Sequence, residues 1–288
     1  MQEATKREYR QLAEHVYKRL DGPPSPKRLE RALKEAASKH RPAYWRRLRR
    51  AIEVDQRERG YPENADRVRA IQNPVTQGSG ARPPGRRPRR RGVSRKEHQR
   101  IVAEIDKKVD MQVAAAVTLA STLGIRPCEM PHLRLNHDDR TIHVPAAKTT
   151  DQAERGLSRS VTVPDWAWEA VAASVDVLAG ARMKPIQNRL NRLTRSIWPA
   201  RRKTPRPTLY SFRHQLGSDL KASGLSRREI AAIMGHRSTV SVEQYGNQRS
   251  ARSRRSLPRC NDAEALEAVR EKHTDPPSQG QSVTLDPR

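Results

Sequence analysis

The stretch "LYSFRHQLGSDLKASGLSRREIAAIMGHRSTVSVEQYG", residues 209–246, decides how this chain is read. It carries a tyrosine near each end, Tyr210 and Tyr245, an Arg-His pair at Arg213 and His214, and a Gly-His pair at Gly235 and His236. Apolar spacing predicts helices over roughly 209 to 223 and 226 to 234, the second stopped by Gly235. Tyr245 follows on a loop or short helix that presents its hydroxyl. A tyrosine hydroxyl with a pKa of ~10 is a poor nucleophile alone, so attack on a phosphodiester needs neighbouring cations. Arg213 is planar, permanently charged and suited to two oxygens of one phosphate, and His236 can donate to a third or exchange a proton.

The rest of the chain sets the context. Lysine and arginine number 58 against 32 acidic residues, a formal charge of +26 over 288 residues, so a polyanion is the expected partner. The longest apolar run, Val113 to Ile125, is too short to span a bilayer, which needs roughly 20 residues. The N-terminus "MQEATKREYRQL" lacks the apolar core of a secretory signal. The expectation is therefore a cytoplasmic protein with no membrane-spanning segment, nucleoid-associated if its polyanion is DNA, while the charge alone also suits an anionic membrane. Cys128 and Cys260 lie far apart, without metal-ligand or redox spacing, and read as reduced packing residues. His132, His137 and His143 crowd one region without cysteine or carboxylate partners, so no metal site is expected. Trp166, Trp168 and Trp198 read as core.

Residues 1–75 read as a helical domain. Tyr9, Leu12, Val16 and Leu20 share one helical face, Ser25 and Pro26 cap and open a second helix, and Tyr44, Trp45, Leu48 and Ile52 mark a third. The opposite face of that third helix carries Arg46, Arg47, Arg49 and Arg50, candidates for phosphate contact. Residues 76–92, "TQGSGARPPGRRPRRRG", have no periodic pattern and read as a basic linker, with Arg86, Arg87, Arg89, Arg90 and Arg91 as further candidates. Residues 93–260 read as the larger unit. A capped helix opens at Ser94, an apolar helix runs from Met111 to Leu123, and a β-hairpin pairs Ile142 and Val144 with Val161 and Val163, with Lys148 near its tip. Helices are also expected over about 165 to 180 and 186 to 198. Residues 261–288 read as a tail, helix-compatible at first and then disordered. The fold class expected is mainly α with a small antiparallel β-sheet.

"GIRPCEMPHLRL", Lys148 in the hairpin, "YSFRH", "MGHRS" and Tyr245 together resemble, in order and rough spacing, the tyrosine recombinase (phage integrase) family. The resemblance covers about residues 95 to 250, and the helical module ending "IQNPV" is similar to the family's core-binding domain, so that two domains clamp duplex DNA. It implies Arg126 as the first catalytic arginine, supported by Glu129, Lys148 as the proton donor to the leaving 5′ oxygen, Arg213 as the second arginine, His236 as the Gly-His histidine and Tyr245 as nucleophile. The implied reaction cleaves a strand to a 3′-phosphotyrosyl link and rejoins it without metal, ATP or other cofactor. The implied assembly is a homo-tetramer on DNA, and a monomer or weak oligomer without it.

One position departs from the pattern. The family usually has histidine three residues before the second arginine, where this chain has Tyr210, which could still donate a hydrogen bond to phosphate. His214, one residue after Arg213, is expected to point about 100° away around the helix and so to be no substitute. Two alternatives accompany the recombinase reading: a DNA-binding protein of this fold with lost or reduced cleavage, and a telomere-resolvase-like enzyme using the same chemistry.

Overall fold

A computed structural model of the chain describes residues 1, 3–78, 84–85, 90–146, 156–199, 205–252 and 255–271. The chain divides into two compact units, residues 1–87 and 88–288. No helix among the described residues is long and apolar enough to cross a membrane.

The first unit is helical: α1 (Glu3–Tyr17), α2 (Pro26–Lys39), α3 (Pro42–Glu58) and α4 (Pro62–Ala70). Ser25 caps α2, its side chain accepting from Arg28 N, and proline occupies the first turn of α2, α3 and α4, where its missing N–H costs nothing. α4 was not anticipated. The "GYP" that ends α3 also supplies the proline that opens α4. Leu29, Leu33, Trp45, Leu48, Ile52 and Val68 form the core, and the Trp45 indole donates to Leu33 O at 2.7 Å. Tyr44, assigned inward by spacing, is exposed at the edge of that core.

The second unit builds outward from one helix. α5 (Arg95–Lys108) opens with a capping box between Ser94 and Glu97, and α6 (Met111–Thr122) follows. α6 is apolar on all sides because α5, α7 (Trp168–Leu178), α8 (Met183–Ile197) and α9 (Leu209–Ala222) surround it. Between α6 and α7 lies an antiparallel sheet ordered β1 (Arg134–Asn136), β2 (Thr141–Val144), β3 (Arg159–Thr162), with Ile142 opposite Val161. The predicted hairpin is β2 with β3. β1 is an addition whose three residues are too short to show a period.

A second core forms where α10 (Arg227–Ile233), α11 (Val240–Glu243) and α12 (Ala263–Glu267) meet the far half of α9. The segment after Cys260 belongs to it: Ala265 and Val269 are buried, Thr162 bridges to Arg259, and Ser238 bridges to Arg270. Two residues depart from the core reading. Trp166 is 48% exposed, its indole donating to Ser256 O at 3.0 Å under the Arg255 guanidinium, and Cys128 is exposed whereas Cys260 is buried. Cys128 sits on a turn and Trp166 in a single 3₁₀ turn, Asp165–Ala167, both too short for periodicity to assign a face.

The end of α5 yields a stability test. Val109, its C-cap, has φ 52° and is 75% exposed, so a β-branched side chain sits in the left-handed region with little burial to compensate. Val109→Asn is expected to stabilise the protein by about 0.5–1 kcal/mol, read by urea denaturation, since asparagine tolerates that conformation.

Candidate active site

The site begins with two helix ends. α6 and α10 each finish with glycine in the left-handed region, Gly124 at φ 63° and Gly235 at φ 62°. At α10 the turn is a Schellman motif, with Gly235 N donating to Ala232 O and His236 N to Ala231 O, both at 2.8 Å. His236 is thereby fixed one residue beyond Gly235. Such ends leave carbonyls with no helical partner and a partial negative charge.

Guanidiniums take those carbonyls. Arg213, on α9 and fully buried, donates to Gly124 O and Met234 O, and its Nη2 lies 3.2 Å from His236 Nε2. Arg126 donates through Nη2 to Gly235 O at 2.9 Å and through Nη1 to Glu129 Oε1 at 2.5 Å, while its backbone N–H donates to Glu129 Oε2 at 2.9 Å. Glu129 is 1% exposed. Burial opposes its charge, but Arg159, Arg126 and Arg213 outweigh that and hold its pKa down to about 2. Burial, then Arg126, push Arg213 down to about 10, which leaves it charged at neutral pH.

His236 is 6% exposed, and burial followed by Arg213, Arg126 and Arg159 pushes its pKa down to about 2. The ring is neutral. Its Nε2 faces the Arg213 donor, which places the proton on Nδ1, an atom that is buried and has no hydrogen-bond partner among the described residues.

Tyr245 lies across this cluster. Its ring centroid is 4.7 Å from those of both His236 and His214, and the Arg213 Cζ is 5.1 Å from it. His214 leaves α9 in a different direction from Arg213 and still reaches the Tyr245 ring. Tyr245 lies over the face of α9 shared by residues 213 and 214, so that one ring contacts both. Gly246, at φ 59°, allows this approach, because a Cβ there would overlap Ser218 N and Oγ. Asn247 N then donates to Ser218 Oγ at 3.0 Å and Lys221 Nζ to Gly246 O at 3.2 Å, holding the segment along the helix.

Two clefts of about 400 Å³ each meet at Gln244 and Tyr245. One is lined by Tyr210, Ser211, His214 and Arg206, the other by Arg126, His236, Arg237 and Arg270. Tyr210 is 44% exposed and so not a core aromatic. Burial of its remainder, with Cys128 and Tyr245, pushes its hydroxyl above the ordinary value, so it is a neutral donor.

Arg126, Glu129, Arg213, His236 and Tyr245 thus converge, with Tyr210 at the rim. Lys148, and Arg86, Arg87 and Arg89 of the linker, lie outside the described residues. Arg90 is turned inward, donating to Gly92 O and Pro205 O and pairing with Glu97. Arg91 is exposed. In the first unit Arg49 donates to Arg69 O and Ile71 O, both at 2.9 Å, closing α4. Arg47 pairs with Glu8 and Arg50 with Glu53, and Arg46 is exposed.

The profile of the Phage integrase family matches residues 92–252, more than half of the chain. The chain belongs to the phage integrase, or tyrosine recombinase, family. A search of curated proteins finds no match. Among solved structures, that of a lambda integrase dimer bound to a COC′ core site is similar at TM-score 0.58 and 15% identity, covering 89% of this chain and 75% of that one. A Tn1549 transposon integrase in complex with a circular intermediate DNA is similar at TM-score 0.58 and 14% identity, covering 85% and 90%. At those identities the likeness is one of fold, and it extends over both units.

Sequence reasoning missed Arg159, which is fully buried at the start of β3 and bonded to Glu129. A signal was present: with Val161 and Val163 facing inward, period two puts residue 159 inward as well.

His236 gives a pH test. Its folded pKa is depressed from 6.5 to about 2, so the unfolded chain binds a proton that the folded chain refuses, and stability falls as pH drops below about 6.5. Glu129, depressed from 4.5, adds to the loss only below about 4.5. Urea denaturation of His236→Asn should therefore show a flatter decline than the parent between pH 6.5 and 4.5. An unchanged slope would mean that the ring is protonated in the fold.

Proposed function

We propose that the protein is a site-specific DNA recombinase that cleaves and rejoins strands through a phosphotyrosyl intermediate on Tyr245. The observation that carries this is the contact of Tyr245 with Arg213 and His236 beside a cleft lined by Arg126. In the proposed step Tyr245 Oη bonds to phosphorus and the P–O5′ bond breaks, leaving a 3′-phosphotyrosyl strand and a 5′ hydroxyl. The tyrosine proton is lost and the 5′ oxygen gains one, for which Lys148 is the proposed donor. Arg126 and Arg213 stabilise the charge developing on the non-bridging oxygens. His236 is a poor base with a pKa near 2, and its neutral ring is proposed to support Arg213 beside the phosphate, accepting from the guanidinium through Nε2. Tyr210 adds a neutral donor where the family usually has histidine.

Arg213 has no exposed surface, with Tyr245 across it. The reaction therefore requires the ring to move off the guanidinium toward a bound phosphate, and the clefts on its two sides give it room. Duplex DNA is the proposed substrate, held by the net charge of +26, with the helical first unit as the second jaw of a clamp and several copies assembling on the DNA. Of the candidate phosphate contacts, the exposed Arg46 and Arg91 fit this best, whereas Arg49 and Arg90 serve the fold. A DNA-binding protein without cleavage is the second reading, favoured by the covered Arg213 and by Tyr210.

A nicked duplex, built on the sequence the full chain selects from a random pool, separates the two. The recombinase should accumulate as a covalent adduct, which Tyr245→Phe abolishes while binding the same DNA nearly as well. A mobility shift without adduct in the parent protein would leave only the binding reading. Tyr210→Phe should slow adduct formation about 10- to 1000-fold with its melting temperature unchanged, since a half-exposed hydroxyl is lost and no packing. Normal cleavage by this variant would remove Tyr210 from the chemistry.

A further inference from the structure

Arg159 and Arg213 are the two fully buried arginines among the described residues, and Arg159 is the one that the reaction as written does not use. Its side chain has no exposed surface, and every nitrogen of its guanidinium has a polar partner. Nη2 lies 3.2 Å from Glu129 Oε2 and Nη1 3.5 Å from Oε1, Nε donates to Ile233 O at 2.9 Å, and Nη1 donates to Leu157 O at 3.2 Å. A side chain at Gly235 would overlap the guanidinium and come within 3.1 Å of Arg126 Nη1. One side chain thus touches β3, the end of α10, the turn bearing His236 and the carboxylate that holds Arg126.

Both Glu129 oxygens are shared between two arginines. Arg126 approaches through one terminal nitrogen, Nη1, and its other, Nη2, goes to Gly235 O. A carboxylate facing a single guanidinium prefers the paired, two-bond arrangement. Here Arg159 occupies the remaining lone pairs and so prevents Glu129 from closing on Arg126 in that way. Arg126 keeps 17% of its side chain exposed to the cleft.

We propose that Arg159 is a positioning residue that competes with Arg126 for Glu129 and ties the Gly235–His236 turn to β3, so that Arg126 and His236 face the phosphate together. The proposal rests on the recombinase reading of the site and names a residue that acts through Glu129 rather than on the substrate. Without Arg159, Glu129 takes both nitrogens of Arg126 and draws it from the cleft, and the turn carrying His236 loses its anchor.

The charged groups facing Glu129 are Arg126 on its own turn, Arg159 from β3 and Arg213 from α9. α10 presents carbonyls, and His236 after it faces the same three arginines. Removing Arg159 takes away one cation while burial persists, so the Glu129 pKa must rise. Cleavage that depends on the Glu129 carboxylate then fails at a higher pH than in the parent. Packing alone would not shift a pH profile.

The test is single-turnover adduct formation by the full chain on the selected nicked duplex, across pH, with melting temperatures recorded. Arg159→Met should slow the step about 10- to 100-fold near neutral pH with little change in duplex affinity, the scale expected for a misplaced contact. Its acid limb should move to higher pH, and Arg159→Lys, which restores one cation, should recover much of both. In the double variant Glu129→Gln with Arg159→Met, the rate should fall no further than with Glu129→Gln alone, because both act through one pair. The double variant also guards against misfolding, since removing both partners of a buried ion pair is less disruptive than stranding one. Near-normal cleavage by Arg159→Met, or an equal loss at every pH that lysine does not repair, would overturn the proposal and leave the recombinase reading intact. Failure of the parent protein to form any adduct would overturn both.

Discussion

The carbonyls at the ends of α6 and α10 are the constraint on which the second unit depends. Three guanidiniums, Arg126, Arg159 and Arg213, are gathered around one carboxylate, Glu129, so the cluster is two charges short of neutral. Burying an unpaired cation costs several kcal/mol even after relaxation. Gly124 O, Ile233 O, Met234 O and Gly235 O each accept from one of these arginines. A helix C-terminus carries a partial charge of about −0.5, and two such ends offset about half of the excess. The arginines and the helix ends therefore require one another: neither set could be buried alone.

The remaining positive charge has a direction. Glu129 is buried, whereas Arg126 and His236 line an open cleft. Burial, and then the like charge of Arg126, hold Arg213 below its ordinary pKa, as expected of cations that repel one another. An anion entering the cleft relieves that repulsion, and a buried site with low local dielectric magnifies the gain. Stability is given up in the free protein in a form that only an anion can recover, a common arrangement at functional sites.

Much of this was legible in the sequence, for reasons specific to each element. Ser25–Pro26 and Ser94 with Glu97 announced their helices because capping chemistry is local, and the apolar run at 113–123 announced a helix enclosed on all sides. Arg126, Glu129, Arg213, His236 and Tyr245 could be placed in order along the chain, but not the identity of what joins them. Carbonyl acceptors have no sequence signature, so neither the burial of Arg213 nor the inward turn of Arg49 and Arg90 could be read. Arg159 was readable from strand period, because Val161 and Val163 set the inward face on which it also lies. The contact of His214 with Tyr245 was not legible, because a helical wheel fixes where a side chain leaves its own helix and says nothing of what crosses above it. Cys128 and Trp166 failed for lack of any period on a turn.

The position of Tyr245 is decided by magnitudes. A cation–π contact such as that with Arg213 contributes roughly 0.5–2 kcal/mol, and stacking on a histidine adds a similar amount. Hydrogen bonds from a guanidinium to a charged oxygen contribute about 1.5–3 kcal/mol each, and a phosphate offers two acceptors in the planar geometry that arginine prefers. Under the recombinase reading the ring is therefore a cover that a phosphate can displace, held firmly enough to shield Arg213 in the free protein and too weakly to compete with substrate. The bonds that hold the following segment on α9, Asn247 N to Ser218 Oγ and Lys221 Nζ to Gly246 O, do not involve the Tyr245 side chain, so they can persist while the ring, which already lines the cleft with Arg126 and His236, gives way to a phosphate.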